Sequence, residues 1–180
     1  AAQWQGGHVM PTGEALISGS YLNELLMRLL ARDDPHERLF DHFTTAVQLL
    51  ADESDAQELV LRAFEWLLLR DAGLLPDLSQ EGSSLIALDP LSVAQAGEGQ
   101  VLTGSQWLEL QKAMDEPAPF LPTLRACAAC LQAVRRPLRN LLHYHCGVNV
   151  FKTRQLMLDV QAMTRRRPLA GANADHSADT

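Results

Sequence analysis

Cysteine and aromatic side chains are scarce in this chain, and long apolar runs are missing. Three cysteines, Cys127, Cys130 and Cys146, are an odd number that cannot close a full disulfide framework. That points to a reducing compartment and favours the cytoplasm. No apolar stretch approaches the roughly 18 residues needed to cross a bilayer. The opening Ala1-Ala2-Gln3-Trp4-Gln5 has neither a basic n-region nor an apolar h-region, so no membrane partner is expected. The first residue is not Met, and helical spacing sets in almost at once, from Leu16 to Leu30; the chain is expected to begin inside a longer protein.

Catalytic signatures are missing too. There is no Gly-rich phosphate loop, G-x-S-x-G elbow or H-E-x-x-H pair, and Gly97-Glu98-Gly99 reads as a turn. Glu24 and Glu65 have no His three residues later, as a di-metal helical bundle would require. The densest titratable group, Asp33, Asp34, His36 and Glu37 with Asp41 and His42 nearby, sits at a loop and a helix start, where acidic residues favour the helix dipole. Cys127-x-x-Cys130 and His143-Tyr144-His145-Cys146 contain zinc-ligand types. On one helix, however, the 13 residues from Cys130 to His143 span roughly 20 Å, too far to share an ion. These cysteines read as small buried thiols, and no metal, no cofactor and no enzymatic activity is expected.

What the chain does have is the composition of a globular domain: 180 residues, 47% hydrophobic and 21% charged, enough to bury one core. Leu22, Leu25, Leu26, Leu29 and Leu30 recur at helical spacing behind Ser18-Gly19-Ser20 and predict a first helix ending near Ala31. Asp34-Pro35-His36-Glu37 is an N-cap signature for a second helix, with Leu39, Phe40, Phe43, Val47 and Leu50 as its inner face. Asp55-Ala56-Gln57-Glu58 repeats the cap before a third helix through Leu69, with Gly73 as its C-terminal stop. Between Pro76 and Gly104 the helical spacing lapses, and short β-favouring pieces at 84–88, 91–93 and 100–102 suggest an irregular hairpin. Helix resumes from Ser105 to Asp115, breaks at Pro117, Pro119 and Pro122, and runs from Thr123 to about His145, with Pro137 expected to kink it near Arg135-Arg136 and Gly147 to end it. A last helix is expected from Thr153 to Met163, before a disordered tail. The fold class is therefore mainly α: a single domain of about five to seven helices with a small hairpin insertion.

Charge is unevenly spread. Residues 1–124 hold 6 Lys/Arg against 19 Asp/Glu, whereas residues 125–167 hold 9 against 1. A basic block on an acidic body suits nucleic acid or an acidic peptide, and a solvated helix face could also produce it.

Two ordered stretches carry a family resemblance. Tyr21-Leu22-Asn23-Glu24-Leu25-Leu26, continuing through Leu29-Leu30 to Asp33-Asp34-Pro35-His36 and Leu39-Phe40-Asp41, resembles the opening of the C-terminal helical domain of the RecO family of recombinational repair proteins. Leu141-Leu142-His143-Tyr144-His145-Cys146-Gly147, followed by Lys152-Thr153-Arg154-Gln155-Leu156, is similar to its closing segment. Leu61-Arg62-Ala63-Phe64-Glu65 and Gly73-Leu74-Leu75-Pro76-Asp77-Leu78 match its central helix in order. The resemblance covers about residues 16–163. It implies residues 1–15 as the remnant of, or linker from, a preceding OB-fold, 16–164 as the helical domain, and 165–180 as a tail that is basic and then acidic.

The resemblance further implies a bacterial, nucleoid-associated adaptor without catalysis. Its partners would be the C-terminal tail of the single-strand binding protein SSB, RecR, and single- and double-stranded DNA, with DNA held weakly in the absence of the OB-fold. Such proteins assist RecA loading and strand annealing. Some relatives hold zinc through cysteines in the irregular middle; residues 76–104 here contain none, so no metal is implied. The SSB tail ends in an apolar residue with a free carboxylate, and its receptor needs an apolar cleft rimmed by cations, for which the arginine fork is suited. Arg62 occupies the matching position, with pairing to Glu58 or Glu65 as its structural alternative. Tyr21, Asn23 and Glu24 read as a packing and hydrogen-bonding cluster. Arg135, Arg136, Arg139, Lys152, Arg154, Arg165, Arg166 and Arg167 are the expected DNA or anion contacts, Lys152 and Arg154 because they flank a helix start. Rival readings are an unrelated helical nucleic-acid-binding domain and a cryptic hydrolase.

Overall fold

The computed structural model describes residues 12–31, 35–52, 56–75, 85–86, 102–147, 150–153, 155–156 and 158–159. Among them the order is α1 (Glu14–Leu29), α2 (Glu37–Asp52), α3 (Gln57–Asp71), β1 (Leu85–Ile86), β2 (Leu102–Thr103), α4 (Gly104–Asp115) and α5 (Phe120–Cys146). The described residues from Lys152 to Asp159 are helical again and are called the closing segment below. The fold is mainly α, as expected. The expected disordered tail, Arg165–Arg167 and Arg154 lie outside the described residues.

Helix α3 occupies the centre. Val60, Ala63, Phe64, Glu65, Trp66, Leu67, Leu68 and Leu69 are all buried, and the run from 63 to 69 covers every side of a helix, as happens only when neighbours enclose it. Those neighbours are α5 and α2, with α1 completing the enclosure. Trp66 meets Trp107 of α4 at 5.7 Å between ring centroids, and Phe64 meets Phe43 of α2 edge-on at 6.2 Å. Gly73, with φ of 68°, adopts the left-handed conformation that ends the helix. Its amide donates to the Arg70 carbonyl at 2.9 Å and that of Leu74 to Leu69 at 2.8 Å, the paired bonds of a Schellman stop.

Four expectations are corrected. Helix α1 starts at Glu14, directly after Gly13 with φ of 58°, so Ser18-Gly19-Ser20 lies inside the helix and does not precede it. The weak propensity of those residues is overridden by packing: Ala15, Ser18, Leu22 and Leu25 form one buried face, and Ser20 Oγ donates back to the Leu16 carbonyl at 2.9 Å. On α2 the buried face is Leu39, His42, Ala46 and Leu50, while Phe40 is 63% exposed. Leu39 and Leu50 are buried as expected and Phe43 packs against the core, but Phe40 gives way to His42, because apolar type alone cannot rank Phe40 against a histidine that has a partner on α3. Helix α5 starts at Phe120, so Pro122 falls in the first turn, where its missing amide hydrogen costs no bond. Nor does the irregularity of α5 fall at Arg135-Arg136: helical angles are lost at Cys130 (φ −132°, ψ 25°), whose thiol donates to the Ala126 carbonyl at 3.2 Å. Pro137 lies inside the helix, with the loss of helical angles seven residues before it, at Cys130.

The hairpin reduces, among the described residues, to an antiparallel pair, Leu85 opposite Thr103 and Ile86 opposite Leu102. Thr103 then caps α4 in a capping box: its hydroxyl accepts from the Gln106 amide at 3.3 Å, and its own amide donates to Gln106 Oε1 at 3.0 Å. Asp34 and Asp55, the caps expected for α2 and α3, lie outside the described residues.

The turned α2 face is open to test. Leu39→Ala should lower the unfolding free energy by about 2–5 kcal/mol, and Phe40→Ala should change it by no more than about 0.5 kcal/mol. Chemical denaturation of the two variants checks this; a larger loss at Phe40 would return the face to its expected position.

Candidate partner-binding cleft

One cleft of about 580 Å³ opens between α1, α3, α5 and the closing segment. Ile17, Ser18 and Tyr21 come from α1, Leu61 and Arg62 from α3, Arg139 and His143 from α5, and Phe151, Thr153 and Leu158 from the last part of the chain. Glu14, Gln57 and Glu58 complete the lining.

The spacing of α3 explains Arg62. Its neighbours Val60, Ala63 and Phe64 face the core, leaving positions 58, 61 and 62 on the side that looks into the cleft. Arg62 Nη1 pairs with Glu65 Oε2 at 2.7 Å, one helical turn on. Glu65 has no solvent exposure, and its other oxygen accepts a hydrogen bond from the Tyr21 hydroxyl at 2.8 Å. Burial and then the Glu65 carboxylate push the Tyr21 phenol well above its ordinary value, so it remains a donor. The Arg62 side chain is only 15% exposed, and its buried Nε makes no hydrogen bond among the described residues. Arg62 thus makes the pairing with Glu65 that was its structural alternative, and it also lines the cleft. A guanidinium carries five donors, so the pairing does not exhaust it.

A second cation stands in the same space. Arg139 was expected among DNA contacts, yet it lines the cleft with Arg62. Arg135 forms a two-pronged pair with Glu58, its Nε on Oε1 and its Nη2 on Oε2, which lifts the Arg135 pKa and ties α5 to α3. Arg136 is exposed on α5. The basic block is therefore divided in use: Arg135 answers an acidic residue of the body, Arg139 enters the cleft, and Arg136 faces solvent.

At the start of the closing segment a carboxylate is already in place, and it belongs to Glu24 of α1. Glu24 Oε1 accepts the Lys152 amide at 3.2 Å, and Oε2 accepts the Thr153 amide at 3.1 Å and its hydroxyl at 2.9 Å. Arg28 donates to Oε1 through Nε at 3.1 Å and Nη2 at 2.9 Å. Burial raises the Glu24 pKa, but the bonds from Thr153, Arg28 and Lys152 outweigh it and hold the carboxyl below its ordinary value. Phe151, just ahead of this contact, is buried against Tyr21 at 5.4 Å and His143 at 5.1 Å, edge-on to both. Sequence reasoning marked Tyr21 and Glu24 as packing and hydrogen-bonding residues. It did not assign Phe151, His143 or Leu158 to a cleft, although His143 lies in one motif of the family resemblance and Phe151 beside another; they become cleft residues only through tertiary contact.

The titratable cluster near residue 36 also resolves. His42 faces Asp71 of α3 at 3.5 Å, Nε2 to Oδ2. Burial raises the Asp71 pKa, but His42, Arg38 and Arg70 outweigh it and hold it below its ordinary value. Asp33 and Asp34 lie outside the described residues. Among the described residues no three of His, Cys, Asp and Glu gather where they could hold a metal ion. Cys127, Cys130 and Cys146 are free thiols. Burial is the leading cause that pushes Cys130 and Cys146 up to about 11 and Cys127 higher still. At pH 8 the native protein should therefore react with a disulfide reagent roughly 10²-fold more slowly than free cysteine, with full reaction on denaturation. Rapid labelling of one native thiol would show that an environment other than burial governs it.

No helix of the described residues is long and apolar enough to cross a membrane. A family model for the recombination protein O C-terminal domain matches residues 10–154. The DNA repair protein RecO of Polaromonas sp. strain JS666 is 56% identical over 175 residues, covering 91% of this chain and 70% of the relative. The protein of the same name from Polaromonas naphthalenivorans is 54% identical over 175 residues, with the same two coverages. That of Albidiferax ferrireducens is 51% identical over 176 residues, again 91% of this chain and 70% of the relative. Fold order, family match and these identities agree: the chain belongs to the RecO family of DNA repair proteins.

Proposed function

We propose that this chain is a non-catalytic adaptor in DNA repair and homologous recombination, one that takes the acidic C-terminal tail of SSB in its cleft and offers a basic face to DNA. The observation that carries this reading is the meeting of Arg62 and Arg139 with Ile17, Leu61, Phe151 and Leu158 in one open space. A peptide ending in an apolar residue with a free carboxylate needs both kinds of surface at once. Two arginines can take its carboxylates through paired N–H donors, and the aliphatic and aromatic wall can take its last side chain. RecR, assistance to RecA loading and strand annealing, and a place in the bacterial cytoplasm at the nucleoid belong to the same proposal by way of the family. Lys152 keeps its place as a DNA contact through its exposed side chain, its amide being taken by Glu24. Arg136, Arg154 and Arg165 to Arg167 are the remaining proposed DNA contacts.

Removing one partner of a charge-assisted hydrogen bond typically costs about 1.5–3 kcal/mol, so Arg62→Ala and Arg139→Ala should each weaken binding of a labelled SSB-tail peptide roughly 10-fold or more. Arg62→Lys should recover only part of the loss, since an ammonium cannot reproduce the fork. Fluorescence titration reads all three, and undiminished affinity in both alanine variants would remove the cleft from consideration.

DNA binding is a separate test. It should be weak, indifferent to sequence and steeply dependent on salt, with each neutralised phosphate adding about −0.7 to −0.9 to the log–log slope. Changing Arg165, Arg166 and Arg167 together to Ala should flatten that slope. A flat slope in the unaltered protein would assign the basic block to protein partners.

A further inference from the structure

The Glu24 contact does more than tidy a helix end. The first amides of a helix have no partner within it, and a side-chain carboxylate commonly satisfies them from the residue just ahead in sequence. Here the carboxylate comes from the other end of the chain, 128 positions away. Both of its oxygens are used, Oε1 on the Lys152 amide and Oε2 on the Thr153 amide and hydroxyl. Arg28 also donates to Oε1 through two nitrogens, so the carboxylate is itself held. The segment fastened in this way supplies one wall of the cleft: Phe151 just before the contact, Thr153 within it, and Leu158 beyond it. Leu158 stands 50% exposed, an apolar side chain held at the cleft with little packed over it.

We infer that Glu24 is a positioning residue for the cleft: it touches no partner, and by fastening the closing segment to α1 it sets the apolar wall that selects the last side chain of a bound peptide. This rests on the reading of the cleft as a receptor for a carboxylate-terminated peptide. The two arginines recognise charge and the wall recognises the apolar end, so the two contributions separate experimentally. The depressed pKa of Glu24 keeps the fastening charged at neutral pH.

The test uses the full chain and two peptides, one copying an SSB tail and one in which its terminal apolar residue is Ala. The unaltered protein should prefer the first. In Glu24→Ala the preference should collapse towards unity, with the apolar-ended peptide losing roughly 10-fold and the Ala-ended one little. Thr153→Val, which removes one of the three bonds from the closing segment to Glu24, is a milder change and should lose about 2- to 10-fold on the apolar-ended peptide alone. Arg62→Ala should weaken both peptides alike. Hydrogen exchange at the Lys152 and Thr153 amides should quicken in Glu24→Ala while α3 stays protected. Undiminished preference in Glu24→Ala, or unchanged exchange at those two amides, overturns the assignment of Glu24. Failure of the unaltered protein to bind either peptide is a different result, and it would overturn the receptor reading itself.

Discussion

A carboxylate with no exposure to water sits near the middle of the most enclosed helix in this fold, and much else is arranged around it. Glu65 on α3 would be costly to bury alone, since an unpaired ionised group in an apolar interior loses several kcal/mol of solvation. It is answered from two directions, by Arg62 on its own helix and by Tyr21 on α1. Those contacts place the two residues that connect core to cleft: Arg62 is drawn partly inward, and Tyr21 is anchored so that its ring meets Phe151. The apolar enclosure of α3 and the chemistry of the cleft are thus one structural fact. A hydrophobic residue at position 65 would relieve the desolvation and leave Arg62 without a fixed orientation.

The sequence was most legible where periodicity and punctuation agree. Gly73 and Gly147 end α3 and α5 with positive φ, as their positions suggested, and the third helix runs where its cap signature and terminating glycine put it. It was least legible where a polar residue belongs to the core. His42 is buried through its contact with Asp71, and no local pattern ranks it above Phe40. Proline was over-read: Pro122 occupies the first turn of α5, where its missing amide hydrogen costs no bond, and Pro137 lies inside the helix with the irregularity elsewhere, at Cys130.

The cleft was legible in its charge and hidden in its shape. Arg62 stood out as a cation in an acidic and apolar surrounding. Arg139 was grouped with its neighbours Arg135 and Arg136 by composition, and only the course of α5 separates them, one towards Glu58 and one into the cleft. A charge count along the chain measures how many cations there are. It cannot tell which of them already have partners on the acidic body, and with Glu58 taking Arg135, fewer remain for outside anions than the block suggests.

The reach of Glu24 across 128 positions also bears on how the molecule is made. Contacts between distant parts of a chain form late, because closing a long loop is entropically costly until other packing has brought its ends together. During synthesis α1 emerges before Phe151, Thr153 and Leu158, and the wall beside it cannot exist until they follow. Helices α1 to α3 can associate earlier through neighbouring contacts, but they do not by themselves make a complete cleft. An unfinished chain therefore carries Arg62 without the apolar wall that stands beside it in the folded molecule, and the cleft is complete only when residues near 24 and 152 meet.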